Sequence, residues 1–291
     1  MRPHQSVLLA EVLQGFDGVS LKIFFEGTVG AGGHARALLE SHPEIERYLA
    51  CDRDPKALQL AKDFLAPWGE KVEWIHGPYA DLTQYLQEKR IDAIDGFLID
   101  IGISSMQIDE RERGFSFLGD APLDMRMDPD NEMTAERLVN ETPEVELARI
   151  LYEYGEERRS RKVAKAIVEA RRRRRIRTTG ELVEIVKPVA TRGRLHPATL
   201  VFQALRIAVN DELGQLQEGL KAAMQWVRPG GRIAAISFHS LEDRIVKECF
   251  RGAKDTFAIL TKKPIVPSKE EMRANPRSRS AKLRIVEKKM P

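Results

Sequence analysis

The sequence predicts an α/β fold in which an all-helical domain is inserted into a mostly parallel, Rossmann-like sheet. Two observations support this prediction. Short apolar segments alternate with helical patterns up to residue 108, as in a parallel sheet with crossover helices. From Asp109 to residue 212 this alternation stops, and only loop and helical patterns follow. We therefore expect residues 1–108 and 213–291 to form the sheet domain and residues 109–212 to form the insertion.

The first predicted strand covers residues 23–25, ends in Glu26 and leads into a glycine-rich loop. Four glycines occur between residues 27 and 33, and a helical pattern begins directly after them. Glycine lets the backbone turn sharply and approach a ligand, and a helix N-terminus favours an anion. The spacing Gly30-x-Gly32-x-x-Ala35 fits the dinucleotide-binding fingerprint, although an ordinary glycine-rich turn has the same composition. The loop indicates a nucleotide-type cofactor site.

Acidic residues end three of the first four predicted strands. Asp52 follows the second strand and Asp100 the fourth, as Glu26 follows the first. The carboxyl ends of parallel strands meet at one edge, which is where open α/β sheets bind ligands. Asp54 before Pro55 predicts a helix cap, so it has a structural task. Asp52 has no such task and is suited to accept hydrogen bonds from two ribose hydroxyls; the alternative is a solvated acid.

Two further side chains are expected near this edge. Tyr79 follows the third strand, where it could equally stack on a purine or cover the edge of the core. His239 follows the fifth strand, and Ser240 with Asp243 predicts the cap of the next helix. Because the chain lacks a Gly-x-Ser-x-Gly motif, hydrolysis through a serine nucleophile is disfavoured.

The net charge is only +3, but basic residues are concentrated in the predicted insertion. Five basic residues between positions 158 and 165 precede five consecutive arginines at 171–175, and Glu169 alone opposes them locally. We expect Arg171, Arg172, Arg173, Arg174 and Arg175 to contact a polyphosphate such as RNA; a solvated basic face is the alternative. The basic segment 264–279, with Arg277 and Arg279, is predicted to be a loop, either a substrate lid or a plain surface loop.

Composition limits the remaining possibilities. Two cysteines, Cys51 and Cys249, are too few for a disulfide framework or a zinc site, and we expect no metal. No signal segment or membrane-spanning run is apparent, so a cytoplasmic location is expected.

Longer motifs carry a resemblance to a known family. They are Glu26-Gly27-Thr28-x-Gly30-x-Gly32-Gly33-His34, Asp52-Arg53-Asp54, His76-Gly77-Pro78-Tyr79, Asp100-x-Gly102-x-Ser104-Ser105-x-Gln107, Arg113-Gly114-Phe115-Ser116-Phe117, Asp124-Met125-Arg126-Met127-Asp128, and Ser237-Phe238-His239-Ser240-Leu241-Glu242-Asp243-Arg244. Together they resemble the small-subunit ribosomal RNA methyltransferase H (MraW) family from His4 to Arg284. The resemblance implies a class I methyltransferase sheet. It also implies S-adenosylmethionine-dependent methylation of the N4 amino group of a cytosine in the decoding region of small-subunit (16S) ribosomal RNA.

The resemblance also assigns cofactor residues. Those implied are the loop residues Gly32, Gly33 and His34, then Asp52 on the ribose, Tyr79 at the adenine, and Asp100 and Gln107 nearby. No catalytic residue is carried over from the family. The chemistry requires acceptors against the cytosine amino hydrogens, and the candidates are Asp100 and Ser104, with His239 behind them.

Two other functions fit parts of the sequence. The glycine loop and Asp52 also permit a nicotinamide-dependent dehydrogenase, although such an enzyme has little use for an arginine run. A non-catalytic RNA-binding or assembly factor could retain the fold without the chemistry. The expected partner is small-subunit ribosomal RNA, free or in an assembled subunit, and the sequence leaves open whether the chain is a monomer or a homodimer.

Overall fold

The computed structural model describes residues 6–191, 193 and 196–291, so His4, where the resemblance starts, lies outside them. The described chain divides into two compact units. The sheet unit contains residues 6–102 and Leu213–Pro291, and the helical unit contains Ile103–Glu212. The assignment of residues 109–212 to substrate recognition stays a prediction.

The secondary structure follows the predicted order. The strands are β1 Ile23–Glu26, β2 Arg47–Asp52, β3 Val72–His76, β4 Ile94–Asp100, β5 Val227–Ser237, β6 Phe257–Ile259 and β7 Lys282–Lys288. The helices are α1 Leu9–Phe16, α2 Gly33–Ser41, α3 Pro55–Phe64, α4 Leu82–Glu88, α5 Ser105–Asp109, α6 Ala135–Glu141, α7 Glu144–Glu153, α8 Ser160–Arg173, α9 Thr179–Val186, α10 Ala198–Asn210, α11 Glu212–Trp226, α12 Ser240–Gly252 and α13 Lys269–Ala274. None of the described helices has both the length and the apolarity needed to cross a membrane.

The seven strands form one sheet in the order β3-β2-β1-β4-β5-β7-β6. Strands β1 to β5 pair in parallel, whereas β7 runs antiparallel to both β5 and β6. A mostly parallel sheet with β7 reversed between β5 and β6 is the arrangement of class I methyltransferases, so the predicted fold class is confirmed. The strand order reverses between β1 and β4, and such a switch point opens a ligand crevice beyond the carboxyl ends of the strands.

Apolar residues fill both faces of the sheet because successive side chains on a strand point to opposite sides. Phe24 of β1 stacks on Tyr48 on one face, with ring centroids 5.3 Å apart. Phe25 stacks on Phe97 on the other face at 5.6 Å. All four aromatic side chains are fully buried. The two cores hold the ends of β1, β2 and β4 in fixed positions, and these ends carry the acids.

The helical unit has a core of its own, to which α7, α8 and α10 contribute Leu147, Ile167 and Leu205. Thr178 and Glu181 form a capping box at the start of α9, as the Thr178-x-x-Glu181 spacing predicts. In the sheet unit, Asp54 caps α3 as expected by accepting a hydrogen bond from the Lys56 amide. These caps were readable from sequence because each involves residues only two or three positions apart.

The prediction that residues 264–279 form a loop, either a substrate lid or a surface loop, is wrong from Lys269 onward. Ser268 caps the short helix α13, and a 3₁₀ helix follows at Pro276–Ser280. Glu271 of α13 accepts a hydrogen bond from the Leu8 amide at 2.8 Å. Because this contact joins residues from opposite ends of the chain, local sequence patterns did not reveal it.

Candidate cofactor and methyl-transfer site

The glycine loop leads from β1 into α2 through a backbone that favours glycine. Gly30 and Gly32 have φ angles of 54° and 87°, which are strained for residues with a Cβ atom. Gly32 is the N-cap of α2 and, having no side chain, makes no capping hydrogen bond to the first amides of this helix. These amide groups and the positive end of the helix dipole suit a carboxylate or a phosphate.

Asp52 fastens the glycine loop to the end of β2. Its Oδ2 atom accepts a hydrogen bond from the Gly30 amide, and its Oδ1 atom accepts one from the Asp54 amide, both at 2.9 Å. Burial raises the pKa of Asp52 to about 6, although these two hydrogen bonds oppose the rise. Each carboxylate oxygen accepts more than one hydrogen bond, so Asp52 keeps acceptor capacity for hydroxyl donors such as those of a ribose.

Glu26 and Asp100 are acids at the ends of the two central strands; Asp100 is partly exposed, but its Oδ1 atom is buried. Glu26 is fully buried, and its Oε2 atom accepts a 2.7 Å hydrogen bond from the Tyr48 hydroxyl. Among the described residues, Glu26 Oε1 and Asp100 Oδ1 are buried atoms without a hydrogen-bond partner. Burial raises the pKa of each carboxyl to about 8; Asp100 and Asp52 add to the rise at Glu26, and Glu242 adds to the rise at Asp100.

The Asp100 backbone is held in place from the glycine loop, because its amide donates a 2.7 Å hydrogen bond to the Thr28 hydroxyl. Buried acids with free acceptor atoms favour a ligand that is positively charged or donates hydrogen bonds. The described residues contain no group of three His, Cys, Asp or Glu side chains arranged to hold a metal ion.

His239 caps α12, so the prediction that Ser240 is the cap is wrong. The Glu242 Oε2 atom accepts hydrogen bonds from the amides of Phe238 and His239 at 2.7 and 3.2 Å. The His239 Nδ1 atom in turn accepts one from the Glu242 amide, which completes a capping box. Sequence reasoning chose Ser240 because serine is a common N-cap residue. The N-cap is instead His239, one residue earlier, because Glu242 pairs with His239 in the capping box.

Two predicted cofactor residues are buried against other parts of the sheet unit. Tyr79 is 7% exposed, and its ring lies where a side chain at Gly219 would clash. The structure therefore places Tyr79 in the core, and its role at an adenine stays a prediction. His34 is also buried, and its Nε2 atom lies 2.9 Å from the Val7 carbonyl oxygen.

Ser104 and Gln107 belong to the helical unit, where they form the capping box of α5. The Ser104 hydroxyl accepts a hydrogen bond from the Gln107 amide, and Gln107 Oε1 accepts one from the Ser104 amide, both at 3.1 Å. These bonds give both residues a structural task, while the Ser104 hydroxyl proton remains available for donation.

The arginine run is more balanced than the sequence suggested. Arg171 donates to the carbonyl oxygens of Val139 and Thr142, both at 2.7 Å. The other paired members are Arg174, which binds Glu181, and Arg175, which binds Glu136 and Glu141. The expectation that Glu169 alone opposes the run is therefore wrong, because acids from α6 and α9 reach it.

Three of the predicted RNA-binding arginines, Arg172, Arg173 and Arg279, form no ion pair with a carboxylate within the described part of the chain. Arg172 and Arg173 are exposed at the end of α8, and Arg277 and Arg279 are exposed on the 3₁₀ helix after α13. RNA binding by these residues stays a prediction.

Sequence reasoning noted Glu26 at the end of β1 but did not select it as a site residue. The structure adds it because the carboxyl is fully buried, bonds to Tyr48 and lies close enough to Asp52 and Asp100 to affect the charge of the site. The available signal was its position, the third strand-end acid at one sheet edge. The Tyr48 contact, which crosses to β2, was not readable.

A Rossmann-like sheet, with a glycine loop held by a strand-end carboxylate and two further strand-end acids beside it, defines a nucleotide-cofactor enzyme of class I methyltransferase architecture. The family model described as the MraW methylase family matches residues 1–289. The chain is 48% identical over 306 aligned positions to ribosomal RNA small subunit methyltransferase H of Geobacter sp. (strain M21), covering 98% of both chains.

Other relatives with the same name agree. The protein from Methylobacterium sp. (strain 4-46) is 48% identical over 310 aligned positions, covering 98% of this chain and 91% of its own. The one from Paramagnetospirillum magneticum is 47% identical, with coverages of 97% and 95%. The chain belongs to the MraW methylase family. It is an S-adenosylmethionine-dependent methyltransferase, so the dehydrogenase alternative is set aside.

Proposed function

We propose that this enzyme transfers a methyl group to the N4 amino group of a cytosine in the decoding region of small-subunit ribosomal RNA. The observation that carries the proposal is family membership over nearly the full chain, with relatives named as small-subunit ribosomal RNA methyltransferases. The site is consistent with it because a buried, acid-lined edge suits a positively charged sulfonium cofactor.

The cofactor would lie at the carboxyl edge of the sheet unit. The first amides of α2, after Gly32, would hold its carboxylate, and the free acceptor capacity of Asp52 would hold its ribose hydroxyls. Gly33 gives α2 close packing, because a Cβ atom there would clash with the Ser6 hydroxyl. His34 contacts Val7 and Tyr79 packs at Gly219, so these two residues would support the walls of the site without touching the cofactor directly.

When bound, S-adenosylmethionine supplies a methyl group on a positively charged sulfur that leaves as a neutral thioether. The N4 lone pair of cytosine is delocalised into the ring, so the amine is a poor nucleophile until an acceptor draws on its hydrogens. We assign that task to Asp100 Oδ1, which is buried and lacks a partner among the described residues. The Asp100 carboxylate would accept the proton that the amine loses when it takes the methyl group.

His239 and Ser104 would act less directly. His239 caps α12, and its Nε2 atom lies 2.9 Å from Glu242 Oε1. The Glu242 carboxylate, in turn, is near enough to raise the pKa of Asp100. His239 would therefore position Glu242 and tune Asp100, whereas Ser104 would order the start of α5 in the helical unit.

The proposed setting is the cytoplasm, and the proposed partner is small-subunit ribosomal RNA, either free or within an assembled subunit. A splayed-out cytosine is required because the target amine is inaccessible in a stacked base. The non-catalytic alternative, an RNA-binding factor that has lost the chemistry, predicts RNA binding without turnover.

The test is calorimetric titration with S-adenosylmethionine, with NADH as the control ligand, followed by turnover of Asp100→Asn at saturating cofactor. We expect S-adenosylmethionine alone to bind, and Asp100→Asn to lower the turnover number by about 10²-fold or more, the range of general base catalysis. Since the pKa of Asp100 is raised to about 8, wild-type turnover should rise with pH up to about 8, and that of Asp100→Asn should stay flat. Full turnover by the variant would remove Asp100 from this role, and binding without turnover by the wild type would favour the RNA-binding factor.

A further inference from the structure

One side of α8 in the helical unit presents almost only basic side chains to solvent. The opposite side of the helix is buried in the core through Val163, Ala164 and Ile167. The exposed cations recur at helical spacing, so they lie on one face. We call this surface the α8 basic face; its members are Arg161, Lys162, Lys165, Arg172 and Arg173.

The face is continuous, and its cations have few partners. Arg161 to Arg172 span about 16 Å at 1.5 Å per residue. Lys165 lies 3.8 Å from Glu169, and both side chains are more than half exposed, which makes this a weak pair. No other member of the face has an ion-pair partner among the described residues, and Arg158 and Arg159 extend the basic surface before the helix begins.

The rest of the arginine run lacks this freedom. Arg171 holds two carbonyl oxygens, and Arg174 and Arg175 bind glutamates of the same unit. A phosphate would have to compete with those partners. The run of five arginines therefore separates into three that already have partners within the helical unit and two that belong to the α8 basic face.

Such a face is unfavourable for the free protein. Arg161 and Lys165 are four residues apart, and Lys162 and Lys165 three, so like charges repel along the helix. The first turn of α8 contains no acidic residue, and cations there oppose the helix dipole. A polyanion that neutralises the face would remove both penalties.

We propose that the α8 basic face binds the phosphate backbone of the RNA substrate and anchors the helical unit on it. The proposal rests on the proposed function for the identity of the RNA. RNA is favoured over a small anion because the charges form a line about 16 Å long, which matches a chain of phosphates rather than a single one.

The test compares two triple variants of the full chain. The first is Arg161→Gln, Lys162→Gln, Lys165→Gln. The control, Lys221→Gln, Lys254→Gln, Lys263→Gln, removes the same charge from exposed positions of the sheet unit. The probe is a fragment of small-subunit ribosomal RNA that spans the decoding region, and its affinity is measured between about 50 and 200 mM salt.

The plot of log affinity against log salt has a negative slope, and the loss of three phosphate contacts makes that slope shallower by about 2. The same loss weakens binding at 100 mM salt by at least about tenfold. We expect this for the first triple alone, with S-adenosylmethionine affinity and saturated turnover unchanged and the melting temperature not lowered. A slope equal to that of the wild type, or an equal fall in both triples, would overturn the proposal and leave a solvated basic face.

The same measurements separate this inference from the proposed function. A wild-type protein that binds the fragment with a steep slope but methylates neither small subunits nor free ribosomal RNA refutes the proposed function, and the slope of the triple still decides the role of the face. Intact methylation with an unchanged Michaelis constant for RNA in the first triple refutes the role of the face alone. A wild type whose RNA binding does not depend on salt refutes the role of the face, and methylation of small subunits and of free ribosomal RNA then decides the proposed function.

Discussion

Asp52→Asn is the substitution that most directly tests how the cofactor site is built. The Asp52 carboxylate accepts hydrogen bonds from the Gly30 and Asp54 amides, one on each oxygen. Asparagine has one acceptor oxygen, and its amide nitrogen cannot accept. The variant therefore has to release either the glycine loop or the start of α3, and it also loses the charge that would hold the ribose hydroxyls.

The expected loss follows from the hydrogen bonds involved. A hydrogen bond to a charged group contributes about 1.5–3 kcal/mol, so the loss of one from the bound cofactor weakens S-adenosylmethionine affinity by about 10- to 150-fold. Asp54→Asn is the matched control. Asp54 caps α3 through its bond from the Lys56 amide, and asparagine is an equally good cap, so affinity should stay within about threefold.

Calorimetry at several pH values supplies a second readout. Burial raises the pKa of Asp52 to about 6, and the ribose needs the ionised carboxylate. Wild-type affinity should therefore fall by about tenfold for each pH unit below 6, while that of Asp52→Asn should lack this component. An Asp52→Asn dissociation constant within twofold of the wild-type value at pH 8 would refute the assignment of Asp52 to the ribose.

Two other substitutions test the energetics of the described contacts. In the wild type, Glu26 has its pKa raised from 4.5 to about 8, so the folded state keeps a proton that the unfolded state releases, and stability falls as pH rises through this window. The unfolding free energy of the wild-type sheet unit should therefore fall by up to about 1.4 kcal/mol per pH unit, and Glu26→Gln should abolish this fall. Unfolding is followed by the fluorescence of the three tryptophans, which all lie in the sheet unit. Parallel pH profiles of the wild type and the variant would contradict this prediction. Arg171→Ala should destabilise the helical unit by about 1–3 kcal/mol in urea denaturation because two carbonyl oxygens lose their donor, whereas Arg172→Ala should change stability by less than about 0.5 kcal/mol. Equal effects of the two arginine substitutions would show that Arg171 is not structural.

Sequence reasoning reached the fold because its signals are local. Apolar segments that end in Glu26, Asp52 and Asp100 have a period and length that only buried parallel strands explain, and the structure places these residues at the ends of β1, β2 and β4. The glycine loop was equally readable, because positive φ angles at Gly30 and Gly32 call for that residue type.

The features that escaped prediction depend on partners from distant parts of the chain. Arg175 binds Glu136 and Glu141, more than thirty positions away, so the run looked unbalanced in sequence. Glu271 accepts a hydrogen bond from the Leu8 amide, and this contact helps to hold α13 at positions where a loop was expected. A charge run or a basic segment does not reveal which of its members the fold has already paired.

The chemical identity of the product tests the central claim most directly. Purified small subunits and free small-subunit ribosomal RNA, both lacking the modification, would be incubated with the enzyme and S-adenosylmethionine carrying a deuterated methyl group. Digestion to nucleosides and mass spectrometry would then locate the label. The account predicts labelled N4-methylcytidine from one position in the decoding region in at least one of the two substrates. Label on carbon 5, on a ribose or on another base, or no label in either substrate, would contradict it.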